Sequence, residues 1–168
     1  MADFIPAFTA TMAAEGGYKL TNDPDDRGGQ TYAGISRRYH PDWAGWTYID
    51  SGDRPPPSMV RAFYLKKFWN KMHLSDVRSQ RVANFLYGSA VNLDDRVVAR
   101  LAQTVVGATP DGVIGPITLE LINATSANTF IAQVTVAKIA RYRDIVTNDR
   151  TQMKYLLGWI NRALTEAA

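Results

Sequence analysis

Residues 18 to 57 hold no sustained helical period, although helical patterns lie on both sides of them. Asp, Gly, Pro and aromatic residues dominate this stretch, a composition of turns and short strands. The spacing predicts a short β-hairpin near 29–36 and a turn at Asp25-Asp26-Arg27-Gly28-Gly29. Before it, Phe4, Phe8 and Met12 recur at i, i+4 and i+8, one face of a helix over about 4–15. Gly16-Gly17 should close that helix, because glycine readily takes the left-handed cap. After it, Pro55-Pro56-Pro57 is a rigid break, and Ser58 is placed to cap a helix running through about Met72.

The remaining sequence reads as helix. Val82, Phe85, Leu86, Ser89 and Ala90 share one face, and Val98, Leu101, Ala102 and Val105 share another, with Asp94 or Asp95 as its cap. Gly107 closes that helix, and Gly115-Pro116 opens a short one. Two more helices are expected over about 127–146 and 150–165. The expected fold is thus mainly α, an α+β chain with a small hairpin in its N-terminal lobe and a helical C-terminal lobe. The division falls at 1–93 and 94–168, with no flexible linker between them, so the two should pack together.

Composition narrows the chemistry. The chain has 168 residues and no cysteine, which excludes disulfides and thiolate metal sites. His40 and His73 lack metal-ligand spacing, so no metal or other cofactor is expected. The net charge is 19 − 16 = +3, which favours an anionic polymer as partner. The N-terminus has no basic segment before an apolar run and does not read as a secretory signal. No stretch approaches the roughly 20 apolar residues of a membrane span, so stable membrane insertion is not expected. A monomer made in the cytoplasm is the reading.

The unusual acid is Glu15. It follows Met12 by three residues and Phe8 by seven, which puts it on the apolar face of the first helix. A carboxyl there either pairs with a core Arg, turns to water, or stays protonated because desolvation raises its pKa. The last state suits a general acid in glycoside hydrolysis. That chemistry also needs a second carboxylate, and Asp23, Asp25 and Asp26 lie close downstream, followed by Gly28-Gly29 and Thr31. The same residues make ordinary turns, and a calcium loop would want a later glutamate that is missing. Trp43, Trp46, Tyr18, Tyr32 and Tyr39 crowd the same lobe, as sugar-stacking faces or as its core.

Glu15-Gly16-Gly17-Tyr18, then Asn22-Asp23-Pro24-Asp25-Asp26-Arg27-Gly28-Gly29-Gln30-Thr31, then Gly34-Ile35-Ser36, resembles glycoside hydrolase family 108. That family comprises N-acetylmuramidases found as phage endolysins and as secretion-associated lysozymes. The layout is also similar to that of phage lysozymes, where a Glu at the end of the first helix precedes an Asp and a Thr around a hairpin. The resemblance implies a lysozyme-like fold, Glu15 as acid, Asp25 as second carboxylate and Thr31 holding the attacking water. Asp23 and Asp26 stay open as alternatives to Asp25. Tyr87-Gly88-Ser89-Ala90-Val91-Asn92, Gln103 and Asp111 to Thr118 resemble the predicted peptidoglycan-binding domain that follows the catalytic segment in that family. The pattern often has Asp where Gly88 stands, and a glycine shortly after Asn92, where this chain has Leu93-Asp94-Asp95. A turn and a capped helix start would equally account for Asp111 to Thr118.

The implied activity is hydrolysis of the β-1,4 bond after N-acetylmuramic acid, without cofactor, by an endolysin that reaches the wall after a holin or dedicated release. Tyr32, Trp43, Tyr87 and Asn92 are the expected substrate contacts, the glycan strand the partner. Glu15 is expected in a cleft between the lobes. A lytic transglycosylase would also use one Glu, but has no need of a water-activating Asp25 and Thr31. A non-catalytic wall-binding protein remains possible if the acidic loop is only a turn. A nucleic-acid-binding protein is suggested only by the basic middle of the chain, Arg61 to Arg81, and the acidic loop argues against it.

Overall fold

A computed structural model describes residues 1–14, 16–22 and 29–168. The fold is mainly α with one small antiparallel sheet, a lysozyme-like α+β architecture. Two units emerge, one of residues 4–67 and one of residues 1–3 with 68–168.

The first unit opens with helix α1, Phe4–Ala14. Phe4, Ala7, Phe8, Thr11 and Met12 are buried, the one-sided stripe that the sequence period predicts. The Phe4 and Phe8 rings stand 5.3 Å apart, and Phe8 meets Tyr64 at 5.8 Å. Gly17 N–H donates to Met12 O at 2.8 Å and Gly16 N–H to Ala13 O at 3.4 Å, with φ of +78° and +77°. This doubly bonded glycine close satisfies carbonyls that would otherwise lack partners.

Three strands follow in the order β1, β2, β3: Leu20–Asn22, Gln30–Tyr32 and Ile35–Ser36. The β2–β3 hairpin lies where the sequence places it, turning through Ala33 and Gly34 with positive φ at both, the geometry that matches strand twist. Strand β1 is an addition: three residues are too few to display alternation, and its partner is recognised only through the ladder. Helix α2 spans Gly45–Asp50. Helix α3 spans Pro57–Tyr64, with Pro56 rather than the expected Ser58 preceding its first turn. Proline suits the first helical position because no N–H is needed there. The expected run to Met72 does not stay α-helical; it widens into a π-helical stretch, Leu65–Asn70, then a single 3₁₀ turn at Leu74–Asp76.

The second unit holds α4 (Gln80–Leu93), α5 (Asp95–Val106), α6 (Pro116–Ala124), α7 (Ala127–Asn148) and α8 (Met153–Ala167). Their starts follow local chemistry: Ser79, Asp94 and Ser126 accept N–H bonds as caps, and Pro116 opens α6. Gly107 closes α5 in the left-handed region. Helix α4 packs on α5, α7 and α8, burying Val82, Ala83, Phe85, Leu86 and Ala90. Each fully buried side chain of the Val, Leu or Phe kind contributes about 1.5–3 kcal/mol. A charged group lies deep inside this core. Lys138 on α7 is 1% exposed, and its Nζ donates to Glu166 of α8 and, at 2.9 Å, to Ser89 of α4. The Phe85 ring lies 5.2 Å below the same ammonium.

Candidate active site

Of the expected catalytic residues, Thr31 lies within the described structure, while Glu15, Asp25, Asp23 and Asp26 fall outside the described residues. The described residues that adjoin them in sequence belong to the first unit. Lys19 N–H donates to Gly17 O at 3.0 Å and Ala33 N–H to Lys19 O at 2.9 Å. The glycine close of α1 therefore runs straight into the sheet.

Thr31 occupies the middle strand, directly between Thr21 of β1 and Ser36 of β3. Directly opposed residues share a face, so three hydroxyls form one row, while Leu20, Tyr32 and Ile35 form the apolar row on the other face. The Thr31 hydroxyl donates to Gly29 O at 3.2 Å. Its proton being engaged, its oxygen remains able to accept from a water.

Gln30, one residue before Thr31, is held from outside. Arg37 Nη1 donates to Gln30 Oε1 at 2.8 Å, and the same guanidinium grips both carboxylate oxygens of Asp50 at 2.7 Å. Its carbon lies 5.3 Å from the centre of the Trp46 ring. The hydrogen bond from Arg37, helped by its charge, holds the Asp50 carboxyl below its ordinary range, and Asp50 raises Arg37 in turn. This clamp carries no local sequence signal, since Arg37 and Asp50 are thirteen positions apart in irregular chain. The bidentate geometry that joins them becomes visible only in three dimensions.

Tyr32 and Trp43, expected as sugar contacts, do come together, their rings stacked at 6.1 Å. Tyr32 is buried; burial raises its hydroxyl pKa most, with Arg54 pulling it down and Tyr18 pushing it up. Trp43 is half-buried and meets Trp46 edge-on at 5.2 Å. It also lines a groove of about 480 Å³ with Tyr39, His40, Met59, Phe63 and Lys66. Burial, then the Lys67 charge, pushes the His40 imidazole below its ordinary value. The His40 carbonyl accepts from Trp46 Nε1 at 2.7 Å, tying groove to core.

The two expected contacts in the second unit have other employment. Tyr87 is fully buried, edge-on to Phe68 and Trp69 at 6.4 and 5.9 Å, and presents no face to a ligand. Its aromatic character, read from sequence as a sugar platform, serves the core instead. Asn92 donates to Glu166 Oε1 at 3.0 Å and Gly88 O at 2.9 Å and accepts from Arg162 Nη1 at 2.6 Å, so its amide ties α4 to α8. Gln103 likewise turns inward. It accepts from Gly112 N–H at 2.9 Å and donates to Asp111 Oδ1 at 2.7 Å, so the Asp111–Thr118 segment is a braced turn.

The fold is of the lysozyme-like kind, and a family match makes the class of protein a glycoside hydrolase. Residues 8–93 match Glycosyl hydrolase 108, and the chain belongs to that family. Residues 89–164 match a Predicted Peptidoglycan domain. The family match runs past the first unit and takes in α4. The chain is also similar to the solved structure of Brucella abortus SagA, at 23% identity and a TM-score of 0.67, over 98% of this chain and 95% of that one. At that identity the likeness is one of fold. No curated protein matches the chain. The chain is thus a peptidoglycan-degrading glycoside hydrolase. Among the described residues no helix is long and apolar enough to cross a membrane.

Proposed function

We propose that the chain is an endolysin-type N-acetylmuramidase, cutting the β-1,4 bond between N-acetylmuramic acid and N-acetylglucosamine with Glu15 as general acid. The observation that carries this reading is the glycine close of α1 leading directly into the sheet that bears Thr31. Glu15 immediately precedes those glycines and shares the helical spacing of the buried Phe8 and Met12. An apolar setting keeps a carboxyl protonated, which is what a proton donor to the leaving oxygen requires.

In this reading Asp25 takes a proton from a water that Thr31 Oγ1 helps to hold. The water oxygen bonds to the anomeric carbon as the glycosidic C–O bond breaks, and Glu15 delivers its proton to the departing oxygen. The outcome is inversion, so the first reducing sugar formed carries the α configuration. Residues 1–93 serve as the catalytic region and 94–168 as a peptidoglycan-binding-like region packed against it. The family resemblance supports a phage or prophage setting, in which the enzyme reaches the wall for host lysis after a holin or dedicated release.

The mass of the muropeptides released from purified peptidoglycan tests the bond and the reaction together. Reducing muramic ends are expected; anhydro ends would make the enzyme a transglycosylase, and unchanged glycan would end the enzymatic reading. Glu15→Gln should lower turnover by at least the roughly 10²–10⁴-fold that a general acid contributes, with the circular dichroism spectrum unchanged. Asp25→Asn should also be severe, Asp23→Asn and Asp26→Asn less so, and Thr31→Ala mildest. A folded Glu15→Gln enzyme with near-normal turnover overturns the mechanism.

A further inference from the structure

A second cavity in the first unit, about 580 Å³, shares no lining residue with the groove at Trp43. It is lined by Tyr18, Lys19, Thr21, Tyr32, Asp53 and Arg54, among others. Its size is that of a site for a ligand of several residues, not for a lone ion. Two cations, one carboxylate and two phenols converge on it.

The main chain that presents these groups is fixed. Arg54 follows a closed helix end: Asp53 N–H donates to Tyr48 O at 2.8 Å and Gly52 N–H to Ile49 O at 3.1 Å. Pro55-Pro56-Pro57 follows at once, so the backbone at Arg54 has little freedom. Lys19 is anchored through both its N–H and its carbonyl, and a Cβ built on Gly16 would lie 4.0 Å from its Nζ. Neither Lys19 nor Arg54 has an ion-pair partner among the described residues. Arg54 and Tyr32 line the cavity together, and the Arg54 charge acts to lower the Tyr32 hydroxyl pKa against the larger effect of burial. A guanidinium with no ion-pair partner among the described residues, held on a stiff backbone, is suited to bidentate grip of a carboxylate.

We propose that this cavity is a subsite for the peptide stem carried by the muramic acid residues of the glycan, Arg54 and Lys19 taking a stem carboxylate and Asp53 a stem ammonium. Position supports the assignment. Tyr18 and Lys19 directly follow the Glu15-Gly16-Gly17 segment, and Thr21, which lines the cavity, directly opposes Thr31 in the hydroxyl row, so a substituent on a sugar at that hairpin needs only a short reach. Charge pattern separates the stem from the other anionic wall chemistry. A phosphate polymer would meet the Asp53 carboxylate as well as the cations, whereas a peptide with both charges satisfies all three. A bare lactyl carboxylate would leave most of the cavity empty. The inference rests on the peptidoglycan-cleaving reading, but its test does not depend on turnover.

The probe is the disaccharide GlcNAc–MurNAc with its peptide, which lacks the bond that a muramidase cuts. Its affinity for the full-length chain, followed by NMR shifts, is compared with that of the same disaccharide without peptide, of chitobiose, and of a glycerol phosphate oligomer. The peptide-bearing ligand should bind best. Arg54→Gln or Lys19→Gln should weaken it by about tenfold, the scale of losing one charge-assisted bond, and so shrink its advantage over the peptide-free disaccharide. Arg54→Lys should keep part of that advantage. Equal binding with and without peptide overturns the stem assignment. So does a glycerol phosphate oligomer that binds as well, or a variant that weakens all four ligands alike. If the muropeptide masses show no muramidase products while the stem preference stands, the bond assignment has failed and this subsite has not.

Discussion

At the scale of single residues, the aromatic platform depends on a missing side chain. A Cβ at Gly45 would stand 2.2–2.4 Å from the Trp43 indole. Gly45→Ala must therefore push Trp43 away from Tyr32 and Trp46. The expected cost is about 1–3 kcal/mol, as for other overpacked cores, with weaker glycan binding. Urea denaturation and affinity for peptidoglycan fragments check the two effects; an unchanged midpoint and unchanged binding would show that the platform tolerates displacement. His40 makes a separate prediction. Its folded pKa lies below the ordinary 6.5, so the unfolded chain binds more protons as pH falls past that value. Stability should decline as pH drops through 6.5 and stop declining, for this group, below the lowered folded value. His40→Asn should remove the onset of that slope in thermal unfolding followed at several pH values. Much at this scale was legible in the sequence: the Phe4-Phe8-Met12 stripe, the glycine close and the crowding of aromatic residues in the irregular lobe, though not that Tyr32 stacks on Trp43. Tyr87 and Asn92 were not, because an aromatic ring or an amide has the same letter whether it meets a sugar or a core.

Among elements, the joining of α4, α7 and α8 rests on a polar network as well as on apolar faces. Lys138 is nearly inaccessible, and its charge is met by Glu166 and Ser89, with Asn92 and Arg162 extending the chain of contacts. Removing one partner leaves the other charge buried alone. Lys138→Met or Glu166→Gln should each cost about 3–5 kcal/mol, the usual penalty for breaking a buried pair. Lys138→Met with Glu166→Leu together should cost much less than the sum, since no charge is then stranded. A double-mutant cycle by chemical denaturation measures this, and additive losses would mean that the two groups act independently. The sequence placed α7 at about 127–146 and α8 at about 150–165, within a few residues of their observed ends, and identified one face of α4 without its bounds. It could not foresee that Lys138 lies on the buried stripe, since lysine ordinarily marks a solvated face. Strand β1 and the Arg37 clamp escaped for a related reason: both are defined by partners remote in sequence.

For the molecule as a whole, the question is whether the family's catalytic segment is a folding unit by itself. Its match ends at Leu93, the last residue of α4. Helix α4, however, buries Val82, Ala83, Phe85, Leu86 and Ala90 while packed on α5, α7 and α8, all of which lie beyond that end. The N-terminal residues add to this dependence: Ala2 N–H donates to Val77 O at 3.0 Å, and Asp3 N–H to Gln80 Oε1 at 2.7 Å. A chain cut after residue 93 would expose an apolar helix face worth several kcal/mol, at about 1.5–3 kcal/mol per large side chain. That is a large share of the roughly 5–15 kcal/mol by which a domain is stable. Residues 1–93 alone should therefore lack a cooperative thermal transition, show poorly dispersed amide resonances and release little or no reducing sugar from peptidoglycan. Adding residues 94–168 as a separate chain should restore part of the fold if packing is what is missing. A 1–93 fragment that unfolds cooperatively and cleaves wall at the full rate would mean that the helical region is an accessory, with its packing against α4 dispensable to catalysis.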